Sequence, residues 1–332
     1  MSILITGAAG FIGYHVARSL LLRGEQVVGI DNLTSYYSPK IKEDRLHQLD
    51  ALGARFSFRK VDFADHEALD EALSGLSFDS IIHLGAQAGV RYSLDQPRAY
   101  VASNLAGHLN LLEIARAAKP RHFVYASSSS VYGRNEQLPF KVSDRVDHPA
   151  SLYAATKKAD ELLSESYSYL YRIPMTGLRF FTVYGPWGRP DMAIWRFTER
   201  ILSGAPLPVY NEGRMKRDFT YIDDIVAGVL SALDKPPVDD GSEKPGGSRA
   251  PHAIYNIGNS RSEELMRLIR VLEAACGRPA QVQFEPMQPG DVLETCADLT
   301  AIERDLGFRP TTSIEEGVPR FVDWYKNYHR IG

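Results

Sequence analysis

Cysteine is scarce in this sequence, which has 332 residues and only two cysteines, Cys276 and Cys296. Two thiols without histidine or cysteine neighbours at metal-ligand spacing exclude a disulfide-built scaffold and a cysteine-rich zinc module. We expect both thiols to be reduced, as is usual in the cytoplasm, and we expect no metal site.

Long apolar runs and an excess of basic residues are also absent. No stretch approaches the roughly 18 apolar residues of a membrane-spanning helix, and residues 1–6 lack the basic segment of a secretory signal. Lys and Arg total 38 against 41 Asp and Glu, a net charge of −3. Nucleic-acid-binding proteins usually carry a basic face. We therefore expect a cytoplasmic protein that binds neither a membrane nor nucleic acid.

Short β-branched runs alternate with longer amphipathic segments through the first half of the chain. Such alternation predicts βαβ units and a parallel sheet, and the nearly continuous apolar strands indicate helices on both sheet faces. The predicted strands are Ser2–Thr6, Gln26–Ile30, Phe56–Lys60, Ser80–His83, Phe123–Ser127 and Met175–Phe180. The predicted helices are Phe11–Arg23, Pro39–Leu52, His66–Leu73, Pro97–Ala118 and Leu152–Tyr171.

The pattern changes after Phe180, where prolines interrupt the chain. Lys235–Pro251, rich in proline, glycine and charge, predicts an exposed loop. The remainder predicts a mixed α/β lobe interleaved with the first domain. Its predicted helices are Ala193–Ser203, Ile222–Leu233, Ser262–Ala275 and Ile314–Tyr328.

A glycine-rich loop, Gly7–Gly13, joins the first strand to the first helix with the spacing GxxGxxG. Glycine lets backbone N–H groups approach a pyrophosphate, and the helix N-terminus adds partial positive charge. Asp31 ends the second strand and can accept hydrogen bonds from ribose hydroxyls. NAD is favoured over NADP, because no Arg or Lys occurs from 32 to 39 to bind a 2′-phosphate. Asp62, after the third strand, is placed either to reach the adenine or to act as a turn residue.

Tyr153 and Lys157 lie four residues apart on one predicted helix, and the serine run 127–130 ends the fifth strand. Ligands of open parallel sheets bind at the carboxyl ends of the strands, so these groups should meet there. A lysine ammonium favours the phenolate form of a nearby tyrosine, and a serine hydroxyl can relay the proton. A second Tyr–Lys pair, Tyr36 and Lys40, contains Pro39, which disfavours a helical turn through it.

Together, GxxGxxG, Asp31, the serine run that ends in VYG, and YxxxK resemble the extended short-chain dehydrogenase/reductase family over essentially the whole chain. The resemblance implies an α/β fold with a Rossmann-type doubly wound parallel sheet and a smaller interleaved C-terminal α/β substrate lobe. It implies NAD binding by 1–180 plus about 219–257, and a nucleotide-sugar lobe of 181–218 and 258–332. It also implies a homodimer, formed through the helices Pro97–Ala118 and Leu152–Tyr171.

The resemblance assigns roles residue by residue. The catalytic residues are Tyr153, Lys157 and Ser128, which lies 25 residues before Tyr153 as the family's catalytic Ser/Thr does. The cofactor residues are Gly7, Gly10, Phe11, Ile12, Gly13, Asp31, Asn32, Asp62, Phe63, Leu84, Ala86, Gln87, Ser127, Tyr153 and Lys157. The substrate residues are Ser128, Ser129, Arg91, Thr182, Arg189, Arg217 and Asp291.

Within the family, segments 31–37, 86–93, 179–192 and 287–292 resemble UDP-glucuronate 4-epimerases. Thr182 stands where UDP-galactose 4-epimerases have Asn, and with Arg189 it can hold a C6 carboxylate. Arg189 could instead form a salt bridge or bind the phosphate of NAD. Arg217 resembles the family's diphosphate-binding arginine, and Asp291 resembles its ribose contact. Either could also be an ordinary surface charge.

Three other activities and one non-catalytic role remain as alternatives. A UDP-glucuronate decarboxylase carries a carboxylate near the sugar ring, and a 4,6-dehydratase needs an Asp-Glu pair after the catalytic Ser/Thr, whereas Ser129 and Ser130 follow Ser128 here. A neutral-sugar 4-epimerase is disfavoured by Thr182. A non-catalytic NAD-binding module is disfavoured because both Tyr153 and Lys157 are present.

Overall fold

Seven parallel strands form the centre of the molecule in a computed structural model that describes residues 1–288 and 291–331. All six predicted strands form, each within one residue of its expected ends. The order across the sheet is β3-β2-β1-β4-β5-β6-β10, with β1 Ser2–Thr6, β2 Gln26–Asp31, β3 Phe56–Lys60, β4 Ser80–His83, β5 His122–Ser128, β6 Met175–Phe180 and β10 His252–Ile257. The order reverses direction between β1 and β4, and this creates a crevice at the carboxyl ends of those strands.

Apolar layers cover both faces of this sheet. Successive side chains of β1 point to opposite faces. Ile3 and Ile5 therefore join one buried cluster, and Leu4 joins the other. The flanking helices of the first half are α1 Phe11–Leu22, α2 Pro39–Asp50, α3 His66–Leu73, α4 Tyr92–Asp95, α5 Pro97–Tyr100, α6 Gly107–Ala118 and α7 Leu152–Tyr171. The predicted doubly wound α/β fold is confirmed.

The predicted helix Pro97–Ala118 is not uniform. Its middle, Val101–Ala106, is a π-helical segment between α5 and α6. Such wide turns often occur at functional sites. The segment presents Ser103 and Asn104 to the backbone of Gln87, in the loop after β4.

Beyond the central sheet and its first seven helices, the described residues form two small sheets and five α-helices. One sheet has the order β11-β9-β7 and the other pairs β12 with β8. The strands are β7 Thr182–Tyr184, β8 Pro206–Tyr210, β9 Lys216–Tyr221, β11 Ser262–Glu264 and β12 Gln281–Glu285. The helices are α8 Ala193–Ser203, α9 Ile222–Asp234, α10 Leu265–Cys276, α11 Thr300–Leu306 and α12 Ile314–His329.

One boundary in this region differs from the sequence-based expectation. The predicted helix from Ser262 begins instead at Leu265, because residues 262–264 pair antiparallel with β9. Lys235–Pro251 contains no helix or strand, as expected for a loop. The division into two lobes remains a prediction, and its boundary at 218/219 falls within β9. No helix in the described residues is long and apolar enough to cross a membrane.

Candidate active site

A cleft of about 980 Å³ opens at the carboxyl ends of the central strands. Each cofactor, catalytic and substrate residue proposed from the sequence lines this cleft. The lining includes the glycine loop, the trio Ser128, Tyr153 and Lys157, and the pair Arg217 and Asp291. Pro289 and Gly290, within the segment 287–292 singled out from the sequence, lie outside the described residues.

The glycine loop is shaped for close approach to an anion. Gly7 adopts a φ of +68°, and a Cβ on Gly13 would lie 2.1 Å from the Gly7 carbonyl oxygen. Only glycine fits at either position. No described side chain caps the N-terminus of α1, and its first turn contains no acidic residue. This cradle therefore fits the pyrophosphate of a dinucleotide such as NAD.

The acidic residues near the expected adenosine have local partners. Asp31 is buried, and its Oδ1 accepts a hydrogen bond from the Leu33 N–H at 2.8 Å. Lys42 Nζ lies 3.6 Å from the same oxygen. Asp62 accepts hydrogen bonds from the Asn32 side chain and from the Ala64 N–H, so it is a turn residue that also faces the cleft.

Lys42 lies beyond residues 32–39 and was not singled out from the sequence. A signal was present, since Lys42 shares the inward face of α2 with Ile41 and Leu49. A lysine on a buried helix face requires a partner, which here is Asp31.

The floor of the cleft is built from β5 and α7. Ser128 ends β5, and its hydroxyl accepts a hydrogen bond from the Ser130 N–H at 3.2 Å. Tyr153 lies in the first turn of α7 and is partly exposed to the cleft. Lys157, one turn further, donates to the Ala126 carbonyl at 3.0 Å. The three catalytic residues proposed from the sequence thus face one space.

Asn104, which the sequence analysis did not single out, supports this floor. Its Oδ1 accepts the Gln87 N–H at 2.8 Å, and its Nδ2 donates to Gln87 O and to Thr156 Oγ1, each at 3.0 Å. The buried Asn104 therefore joins the loop after β4 to α7. A buried amide can make such a bridge because it donates and accepts at once.

Arg189 enters the cleft already bound to a carboxylate. Its Nε and Nη2 donate to Asp191 Oδ1 and Oδ2 at 3.0 and 2.5 Å, and the Tyr36 hydroxyl donates to Oδ2 at 3.1 Å. Burial opposes the charge of Arg189, but Asp191 outweighs it and raises the pKa of the guanidinium. Burial and the neighbouring Asp191 raise the pKa of Tyr36 to about 12. The salt bridge that the sequence left open for Arg189 is present.

Tyr36 and Lys40 form no catalytic pair. Pro39 starts α2, and exposed Lys40 pairs with Asp44 on that helix. Tyr36 nevertheless lines the cleft, which the sequence did not indicate.

Arg91 and Arg217 contribute positive charge to the lining of the cleft. Arg91 Nη2 lies 3.0 Å from Asp291 Oδ2, and its guanidinium packs over the Tyr210 ring. Arg217 donates to two backbone carbonyls, and burial lowers the pKa of its guanidinium, with Asp291 opposing the shift. Asp291 thus contacts Arg91, beside the position where it was expected to meet a ribose.

Arg45 connects two segments beside the cleft, the glycine loop and the residues just before Arg189. It is fully buried and donates to Ala9 O in the glycine loop at 2.8 Å. Nη2 of the same guanidinium donates to Trp187 O and Gly188 O at 2.6 and 3.1 Å, and these residues immediately precede Arg189. Like Lys42, it lies on the buried face of α2.

Comparison with known proteins agrees with this geometry. The chain is 51% identical to an uncharacterized 37.6 kDa protein of Escherichia coli O111:H-, over all of both chains. It is 48% identical to a probable UDP-glucuronate 4-epimerase of Rhizobium meliloti (strain 1021), covering 99% of this chain and 98% of that one. The crystal structure of a UDP-glucuronic acid 4-epimerase from Bacillus cereus, in complex with UDP-glucuronic acid and NAD, superposes with a TM-score of 0.87 at 34% identity, covering 99% of this chain and 100% of that one.

The family model "NAD dependent epimerase/dehydratase family" matches residues 3–258, which include the seven strands of the central sheet except Ser2, and the floor of the cleft. This match confirms the expected NAD-dependent enzyme class. The chain belongs to the NAD dependent epimerase/dehydratase family.

Proposed function

We propose that this protein is an NAD-dependent UDP-glucuronate 4-epimerase, which interconverts UDP-glucuronate and UDP-galacturonate. The observation that carries the proposal is a single cleft lined by three groups: the glycine cradle, the Ser128–Tyr153–Lys157 floor, and the arginines Arg91, Arg189 and Arg217. Full-length similarity to a probable UDP-glucuronate 4-epimerase supports the choice of substrate.

We assign to Ser128, Tyr153 and Lys157 the transfer of a proton to and from O4 of the sugar. NAD, when bound at the glycine cradle, supplies reversible acceptance of a hydride from C4. Tyr153 Oη, as phenolate, takes the proton of the C4 hydroxyl, and the Ser128 hydroxyl orients or relays it. Lys157 stabilises the phenolate by its positive charge. Once the 4-keto ring has turned its other face to the cofactor, C4 regains the hydride and Tyr153 returns the proton, so the reaction has no net redox change.

A 4-keto uronic acid is a β-keto acid and readily loses CO2. Loss is fastest when the bond from C5 to the carboxylate lies parallel to the ketone π system, so an epimerase must hold the carboxylate away from that alignment. Arg189 and Thr182 are the side chains that we assign to this task. Because Asp191 already binds Nε and Nη2 of Arg189, Nη1 is the nitrogen of that guanidinium that we assign to the substrate.

The assay that tests this function mixes the purified protein with UDP-glucuronate and resolves the products by anion-exchange chromatography with mass detection. A new peak of unchanged mass that matches UDP-galacturonate is expected, and Tyr153→Phe should abolish it. A product lighter by CO2 would instead indicate a decarboxylase. Turnover of UDP-glucose alone would show that Thr182 and Arg189 do not act as a carboxylate clamp.

We further propose a homodimer in the cytoplasm. Five large apolar or aromatic side chains on α6 and α7 are 40–66% exposed, and pairing these helices with a second copy would cover exposed apolar surface: Leu109, Leu162, Tyr169, Leu170 and Tyr171. Both cysteines are free thiols, in keeping with a reducing compartment. Light scattering after gel filtration should give twice the chain mass, and Leu162→Asp should give the monomer. A monomeric wild type would contradict the dimer.

A further inference from the structure

One ion pair behind the catalytic floor has no role in the chemistry described so far. Lys157 Nζ lies 3.0 Å from Asp160 Oδ2, and the two side chains are only 2% and 0% exposed. The other Asp160 oxygen, Oδ1, has no hydrogen-bond partner among the described residues. Asp160 is therefore a wholly buried carboxyl group whose hydrogen-bonding capacity is only partly used.

Stability alone gives a weak reason for such a pair. Replacing a buried ion pair by well-packed apolar side chains is often neutral or stabilising, because desolvation offsets the attraction. Leaving a buried carboxylate oxygen unpartnered adds to that cost. The location of the pair suggests another reason, since Lys157 follows Tyr153 by one helical turn and both line the cleft.

We propose that Asp160 is a positioning residue for proton transfer at Tyr153. It fixes the Lys157 side chain against the Ala126 carbonyl and balances part of its charge, so the phenolate of Tyr153 is stabilised less than a lone ammonium would stabilise it. This inference rests on the proposed function, in which Tyr153 exchanges a proton with O4 of the sugar.

The other titratable groups around the pair do not take over this role. Glu161, next along α7, is bound through both oxygens to Arg179 at 2.8 and 3.0 Å. His83 from β4 and His108 from α6 stay neutral, because burial lowers the pKa of His83 to about 3 and that of His108 well below its usual value.

Asp160 is ionised at neutral and alkaline pH. Burial raises the pKa of Asp160 to about 6, although Lys157 opposes the shift. Above that pH, the Asp160 charge acts on Lys157. An isosteric Asn at this position removes the charge, keeps one acceptor oxygen for Lys157 and replaces the other oxygen by an NH2 group.

The test measures the ionisation of Tyr153 directly in the NAD-loaded protein. The near-ultraviolet absorbance of phenolate is followed with pH, and the same titration of a Tyr153→Phe variant is subtracted to isolate this one tyrosine. The comparison is repeated in Asp160→Asn and, as a second neutral replacement, in Asp160→Ser. Glu165→Gln is the matched control, because it removes a carboxylate of the same helix that binds His252 and Ser248.

We expect both Asp160 variants to ionise Tyr153 about half to one pH unit lower than wild type, with Glu165→Gln unchanged. The acid limb of the pH profile of kcat should move by the same amount. An unchanged or higher ionisation pH in the Asp160 variants would overturn the proposal. If the wild type does not epimerise UDP-glucuronate but the titration shift occurs, the proposed function fails and the role of Asp160 stands.

Discussion

Replacing Arg45 by Met should lower the free energy of unfolding. It should also loosen the two segments that Arg45 binds, the glycine loop and Trp187–Gly188. The guanidinium is fully buried and donates to three backbone carbonyls and to the Tyr37 hydroxyl. Met fills similar volume but leaves the three carbonyls without these donors, at about 1–3 kcal/mol each. Removing a buried cation recovers several kcal/mol of desolvation, so we expect a net loss of about 2–4 kcal/mol. For a chain of this size, this corresponds to a fall in Tm of roughly 3–6 °C.

Two binding measurements then separate this tether from a general loss of stability. Ala9 belongs to the glycine loop and Trp187–Gly188 leads into Arg189, so the Kd for NAD and the KM for UDP-glucuronate should both rise in Arg45→Met. Calorimetric titration and steady-state kinetics measure them, with Lys40→Met, an exposed change on the same helix, as control. Arg45→Lys should be intermediate, because an ammonium lacks the planar fork. The reasoning is refuted if Arg45→Met matches Lys40→Met in Tm and in the Kd for NAD.

Three other perturbations test the rest of the site and fold. Gly13→Ala should lose NAD, because the new Cβ would lie 2.1 Å from the Gly7 carbonyl oxygen; bound NAD measured after gel filtration at the wild-type level would contradict the cradle. Arg189→Ala should raise the KM for UDP-glucuronate about 10–100-fold and increase the amount of CO2-depleted product, measured by mass detection. If that product does not increase over wild type, Arg189 does not hold the carboxylate of the intermediate. Stability should fall as pH drops below about 6.5, because unfolded histidines gain protons there while the buried ones, with the pKa lowered by burial, do not. These are His15, His83 and His122, whose pKa values are about 4, 3 and 4. Each should lower the free energy of unfolding at pH 5 by about 2 kcal/mol, which urea unfolding at pH 7 and pH 5 measures.

Local sequence pattern was sufficient for six of the seven strands of the central sheet, but β10 was not predicted. Together with the family resemblance, it also identified proposed site residues that line the cleft, although Tyr36 and Lys42 were missed. Most strands of a doubly wound sheet are buried on both faces and appear as apolar runs between turn residues, the partly exposed edge strand β3 excepted. Because the carboxyl ends of parallel strands meet at one edge, the residues after β1, β2, β4 and β5 could be placed together before any contact was known. The YxxxK pair needed only the helical repeat to put both side chains on one face.

The short strands of the second lobe were not predicted individually, for a physical reason. Segments of three residues such as Thr182–Tyr184 and Ser262–Glu264 are too short to show an alternation of their own. They are strands because β9 pairs with both. A pairing between distant residues is a property of the folded chain, and Ser262–Glu264 therefore looked like the start of a helix.

The amino-acid sequence by itself determined six strands of the central sheet, the glycine cradle, the position of Tyr153 and Lys157, and the family. Tertiary structure decided the partners of the charged side chains. Asp191 on Arg189, Asp160 on Lys157, Lys42 on Asp31 and the carbonyl acceptors of Arg45 all result from this packing. Backbone propensity acts over a few residues and is visible in order along the chain. Asp191 and Asp160 are close in sequence to their partners, whereas Lys42 and Asp31, and Arg45 and its carbonyl acceptors, belong to different elements. In all four cases only the fold buries the charge beside its partner, as burial of a charge requires.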